Sequence, residues 1–229
     1  MKRYSVKWPN WGRLVNQSFI PLMYCRDRIL ILYGGRGSSK SVAIAKKLIR
    51  RCLEESFFRF ILYRKVHNTI KDSQWQTLKD CAEEMGVADL FKFKTSPLEI
   101  VCANGNKFIA RGGDQPKKLK SIKDPTGVWY EEEIPPEDDF TTITMSIRTT
   151  KAEYLQEVFT INPEVEGDYT QHWFWKRFFE GHDDATFRST MHVNVSGRLV
   201  ERAYTCHHST FLDNRFLPDS FAAELLALE

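Results

Sequence analysis

No stretch of this sequence approaches the roughly 20 apolar residues that a bilayer-spanning helix requires, and the N-terminal MKRYSVKWPNW lacks the apolar centre of a secretory leader. A soluble chain without a Sec leader is expected. Cysteine is scarce and unpaired in pattern: Cys25, Cys52, Cys81, Cys102 and Cys206 stand far apart, with no C-x-x-C and an odd count. That spacing favours reduced thiols in a cytosolic compartment, most of them small core residues, over a disulfide frame. Internal repeats and low-complexity linkers are also missing. Neither charge dominates, since 33 Lys and Arg face 30 Asp and Glu for a formal +3, a balance that permits nucleic acid as a partner without arguing for it.

What is present is enough for a packed core. In 229 residues, 42% are hydrophobic and 13% aromatic, sufficient for one large domain or two small ones. RILILY (28–33) is a β-rich run ending in glycines, and SKSVAIAKKLIRRCLEE after it sets Val42, Ala45, Ile49 and Leu53 at helical spacing. The charges Lys46, Lys47, Arg50 and Arg51 then fall largely on the opposite side, where a solvated helix face is the plain expectation. RFILYR (59–64) predicts a second buried strand, and TIKD (69–72) a capping box opening a helix that buries Trp75, Leu78, Ala82 and Met85. Asn104-Gly105, inside LEIVCANGNKFIARGG, predicts a hairpin inserted between α/β units. TGVWY (126–130) and LQEVFTI (155–161) predict further strands, with a helix over EDDFTTITMSIRTT between them. Beyond these the pattern is less regular: QHWFWKRFFE reads as helix, AYTCHH as extended chain and PDSFAAELLALE as a helix that stops abruptly, as in a piece of a longer protein. Strands alternating with helices imply a mostly parallel sheet covered on both faces.

Chemistry concentrates in GGRGSSKS, residues 34–41. A phosphate-binding loop of the form G-x-x-x-x-G-K-[ST] would have glycine where Ser39 stands. The relaxed pattern arises by chance in roughly one chain of this length in ten. Its position between a buried strand and an amphipathic helix gives it weight, because there successive backbone N–H groups and a helix N-terminus face one anion. Gly34, Gly35 and Gly37 are expected to supply positive φ and close approach, Ser38 and Ser39 to complete the loop, Lys40 to reach the β and γ phosphates, and Ser41 to hold Mg²⁺. Ser39 is tolerable if it has helical dihedrals at the helix start, which is the expectation; a left-handed Ser39 would cost about 1–2 kcal/mol. Arg36 is either a surface side chain or a cis-acting stabiliser of transition-state charge, and the sequence favours neither.

A hydrolase also needs one carboxylate for the metal and another to activate water, both at a strand end near the loop. GVWYEEE offers them, with Glu131 as the metal-side acid and Glu132 as the base. By itself EEE followed by PPEDD would be a solvated acidic turn; beside a phosphate loop it reads as a site. His207 and His208 are not read as metal ligands, because adjacent strand residues point to opposite faces.

With these residues placed, the chain resembles the large terminase subunit of tailed bacteriophages. The likeness rests on LYGGRGSSKS, LYRKVHNTIKDS, RGGDQPKKLKSIKDPTGVWYEEE, FTINP with HWFWKRFF, and HHSTFLDN, spanning nearly residues 16 to 220. It implies a P-loop NTPase of the ASCE/RecA-like class: an ATPase domain over residues 1–204 with a mostly parallel covered sheet and an inserted hairpin, then a linker or lid over 205–229 leading to an RNase H-like nuclease domain. It implies ATP and Mg²⁺ as cofactors and hydrolysis that drives double-stranded DNA into a procapsid, without DNA cleavage by this part. Lys40 and Ser41 fall on the phosphate and metal positions, Glu131 on the Walker B position, where many relatives have aspartate, and Glu132 on the catalytic glutamate. Thr160 and Asn162 fall on the coupling motif. Gln17 is the candidate adenine contact, and Arg148 or the run Lys117, Lys118, Lys120 the candidate trans-acting cation. The implied partners are portal protein, the small terminase subunit and further copies in a ring, with a monomer in isolation, in the host cytoplasm. The competing readings are a helicase or recombinase-type ATPase, a P-loop kinase for a small molecule, and a non-catalytic nucleotide-binding scaffold.

Overall fold

The computed structural model describes residues 6–115, 118, 121–164 and 167–227. Its strands are β1 Ile29–Tyr33, β2 Arg59–Arg64, β3 Phe91–Thr95, β4 Leu98–Cys102, β5 Lys107–Gly112, β6 Gly127–Glu132, β7 Gln156–Ile161, β8 Phe187–Val195 and β9 Arg198–His208. They form one sheet in the order β3-β4-β5-β2-β6-β7-β1-β9-β8. From β5 to β9 every neighbour is parallel, while β3-β4, β4-β5 and β8-β9 are antiparallel pairs at the two margins.

The unbroken apolar runs are explained by cover on both faces. Alternate residues serve opposite layers: Leu30, Leu32, Phe60, Leu62, Trp129 and Val158 enter one core, with the helices Lys40–Glu54 and Gln76–Glu84. Ile29, Ile31, Ile61, Tyr63, Tyr130 and Phe159 enter the other, with the helices Glu137–Ser146 and Trp173–Phe178. The expected α/β architecture is therefore present, a largely parallel sheet between helical layers.

The Asn104-Gly105 turn joins two antiparallel strands as expected, and because β5 lies beside β2 in full parallel register the hairpin extends the margin of the sheet. Several other local expectations are corrected. No capping box forms at Thr69; His67–Ile70 is a 3₁₀ turn and Lys71–Trp75 a π-helical segment before the α-helix Gln76–Glu84. Trp75, Leu78, Ala82 and Met85 are nevertheless buried as expected. The boundary placed after residue 204 falls inside β9, where Tyr204 to His208 pair with Ile29 to Tyr33. The β8-β9 hairpin was missed, although Ser196-Gly197 lies between residues of alternating polarity.

The solvated face expected for helix Lys40–Glu54 is wrong at three of its four charges. Lys46, Lys47 and Arg51 are buried, whereas Val42 is exposed. The N-terminal segment lies over that face: Lys46 Nζ donates to the Leu14 carbonyl at 2.8 Å, and Lys47 Nζ to the carbonyls of Leu22 at 2.7 Å and Cys25 at 2.6 Å. Burial lowers the Lys47 pKa to about 7. Helical periodicity registers the direction of a side chain but not what a remote segment brings to meet it.

Candidate active site

The tight connection from β1 to helix Lys40–Glu54 is made by a few strained positions. Gly34 has φ 128°, and a Cβ there would lie 2.1 Å from the Ser209 carbonyl oxygen, so glycine is required sterically. Gly37 has φ 78°. Gly35, grouped with them on sequence grounds, does not have positive φ, and a Cβ there would meet nothing within 4 Å. Ser39 overturns its expectation: it is left-handed, with φ 65° and ψ 22°. Its hydroxyl accepts a hydrogen bond from Asn16 Nδ2 at 2.7 Å, a contact that glycine would not make.

Lys40 is 6% exposed, and its ammonium is held inside the loop. Nζ donates to the carbonyls of Gly34 at 3.0 Å and Gly35 at 2.7 Å, to Ser38 Oγ at 3.0 Å, and across the cleft to Asn162 Oδ1 at 3.3 Å. Burial lowers its pKa to about 8. The group remains a cation at neutral pH, but one with little free energy invested in its hydration.

Glu131 and Glu132 end β6, in register with Thr160 and Ile161 of β7. Glu131 is 8% exposed and its Oε2 has no hydrogen-bond partner among the described residues. Burial raises its pKa, opposed by the hydroxyls of Ser41 and Ser73 and by the Arg64 guanidinium. A buried carboxylate oxygen without a partner, beside a serine hydroxyl, is a donor set that suits a divalent cation. Glu132 is exposed and pairs with Arg64 of β2. Its backbone has φ 72°, and Glu133 N–H closes onto the Glu131 carbonyl at 2.9 Å, a tight reversal of the kind that concentrates at functional sites.

Thr160 Oγ1 accepts from Trp129 Nε1 at 2.7 Å, and Asn162 N–H donates to the Glu132 carbonyl at 3.2 Å. Loop, acids and this β7 segment all line one cleft of about 540 Å³ at the carboxyl ends of β1, β6 and β7. Arg36 is exposed on its rim.

Two expected residues lie elsewhere. Gln17 is exposed and does not line the cleft; its neighbour Asn16 is the residue that touches the loop. Arg148 borders a separate hollow with Lys123 and Lys151 and does not join Lys40 and Glu132 within one chain. Lys118 is exposed, while Lys117 and Lys120 lie outside the described residues. Arg64, Asp72, Ser73 and Asn214, which also line the cleft, were not found by sequence reasoning. Only Arg64, the polar end of RFILYR, stood where a strand-end signal was legible.

Residues 26–229 match the family model described as phage terminase large subunit. The chain is 31% identical over 201 residues to the PBSX phage terminase large subunit of Bacillus subtilis strain 168, across 86% of this chain and 45% of that protein. It is 31% identical over 204 residues to the terminase large subunit of Bacillus phage SPP1, across 85% and 43%. Among solved structures, the large terminase of a thermophilic bacteriophage in complex with ADP has a similar fold, with a TM-score of 0.67 at 13% identity, across 94% of this chain and 50% of that one. The chain thus spans less than half the length of the two curated relatives. A family match covering almost all of the chain agrees with the phosphate loop and paired acids described above, and the chain belongs to the phage terminase large subunit family.

Proposed function

We propose that this chain is the ATP-hydrolysing part of a viral DNA-packaging motor, which moves double-stranded DNA into a procapsid. The observation that carries the reading is the convergence of Lys40, Ser41, Glu131, Glu132 and Asn162 on one cleft from three adjacent strand ends. Lys40 neutralises phosphate oxygens, exchanging the loop carbonyls that now hold its ammonium for the anion. Ser41 and Glu131 would hold Mg²⁺, which when bound supplies Lewis-acid stabilisation of phosphate charge. Glu132 accepts the proton of the attacking water. Thr160, on β7 between the acids and the loop, and Asn162, directly after that strand, would relay the state of the cleft into β7.

Arg36 stands at the rim as a cis-acting cation, and Arg148, away from its own cleft, suits a trans-acting role toward a neighbouring copy in a ring. Portal protein, the small terminase subunit and the host cytoplasm complete the proposal, which rests on family membership. Residues 205–208 belong to the ATPase sheet, so the lid or linker begins at Ser209 in this reading.

The test is release of inorganic phosphate from ATP by the isolated chain with Mg²⁺. Lys40→Ala should abolish release and weaken nucleotide binding, and Glu132→Gln should lower turnover at least ~100-fold while keeping binding. Retained turnover in Glu132→Gln would remove the role given to Glu132, and phosphate appearing on an acceptor would make the protein a kinase.

A further inference from the structure

The phosphate loop is held from outside by two asparagines. Asn16, 1% exposed, donates from Nδ2 to Ser39 Oγ at 2.7 Å and to Asn214 Oδ1 at 3.1 Å, while its own Oδ1 accepts from the Arg215 N–H at 3.2 Å. Asn214 donates from Nδ2 to the Gly37 carbonyl at 2.6 Å. Both residues with left-handed backbone next to Lys40 are thus gripped, Gly37 by its carbonyl and Ser39 by its side chain. The grips come from opposite ends of the chain, 23 residues before Ser39 and 177 after Gly37. Hydrophobic packing reinforces the second, because a Cβ on Gly37 would lie 3.3 Å from Phe211 and 3.5 Å from Leu225.

We infer that Asn16 and Asn214 are positioning residues of the phosphate loop, which hold its nucleotide-accepting form by fixing Ser39 and Gly37. Ser39 has a conformation that L-residues disfavour, and the loop would relax from it without an external partner. The hydroxyl at this position is then the handle by which the N-terminal segment sets the loop, and glycine, although free of strain, offers no handle. Through Asn214 the same network ties the loop to the segment that follows β9, so displacement of that segment loosens the phosphate site. The inference rests on the nucleotide reading of the cleft, and it makes Asn16, not its exposed neighbour Gln17, the residue through which the N-terminal segment acts on the loop.

The experiment is calorimetric titration of Mg·ADP into wild type, Asn16→Ala, Ser39→Ala and the double variant, with thermal melts in parallel. Ser39→Ala should bind about five- to tenfold more weakly, as for one lost hydrogen bond, and Asn16→Ala, which also releases Asn214 and Arg215, should lose at least as much, with no corresponding loss of folded protein at the assay temperature. The double variant should bind no more weakly than Asn16→Ala, since that substitution already breaks the contact that Ser39→Ala removes. In turnover, KM should rise while kcat changes little. Ser39→Ala, at a half-buried loop position, keeps the test open if Asn16→Ala fails to fold, and Asn214→Ala reports the second grip separately. Single variants that bind like wild type, or factors that multiply in the double variant, overturn the inference while leaving the nucleotide reading intact. A wild type that does not bind Mg·ADP overturns both.

Discussion

Asn162 accepts a hydrogen bond from Lys40, 3.3 Å from Nζ to Oδ1, although 122 residues separate them in sequence. The same asparagine donates its backbone N–H to the Glu132 carbonyl, so the loop cation and the strand carrying the acids meet at one residue. On the proposed reading, a change in what Lys40 holds would be felt at the end of β7 through these two hydrogen bonds.

That link gives a pH signature. Lys40 has a pKa lowered by burial to about 8, against an ordinary 10.5, and an anion beside it favours the charged form. Nucleotide binding should therefore take up protons near pH 8, close to half a proton per site, and almost none at pH 6. Affinity should fall as pH rises above 8. In the ligand-free protein the folded state is the less protonated one between the two values, so on this account stability rises with pH across that window. Calorimetry in buffers of different ionisation enthalpy measures the uptake; a buffer-independent heat at pH 8 would contradict it.

Glu131 is expected to trade stability for function. Burial raises its pKa, so the folded state resists ionisation, and this contribution destabilises the protein as pH rises above the ordinary value of 4.5. Glu131→Gln should stabilise the metal-free protein at pH 7 by about 1–2 kcal/mol while abolishing Mg²⁺-dependent hydrolysis. A thermal melt in EDTA is the check, and an unchanged or lower Tm would show that the carboxylate is not strained by burial.

Backbone strain at Glu132 is measurable apart from its chemistry. With φ 72°, the position should prefer glycine to alanine, reversing the ordinary order in a strand. We expect Glu132→Gly to be more stable than Glu132→Ala by about 1 kcal/mol in urea unfolding, with both inactive. An alanine variant as stable as the glycine variant would remove the argument for strain.

The loop glycines should differ sharply from one another. Gly34→Ala drives a Cβ to 2.1 Å from the Ser209 carbonyl oxygen at a positive φ, and should cost about 3 kcal/mol or more or prevent folding. Gly35→Ala meets nothing within 4 Å and should change stability by no more than about 0.5 kcal/mol. Parallel melts of the two variants decide it, and equal losses would show that the turn is set by something other than Gly34.

The sequence by itself determined the strands of the core, the loop that follows β1 and the two acids that close β6, because each is a local pattern: an apolar run of strand length, a cluster of glycines before Lys40, carboxylates directly after TGVWY. It also carried the family, through motifs dispersed along most of the chain. Tertiary structure decided what depends on a partner from far away. Lys46 and Lys47 are buried because the N-terminal segment supplies carbonyls to them, Ser39 is left-handed with Asn16 on its hydroxyl, and Arg64 meets Glu132 because β2 lies beside β6. The physical reason is the range of the signal: periodicity and turn chemistry are set within a few residues, whereas hydrogen-bond satisfaction of a buried polar group is settled only when the chain has brought another segment to it.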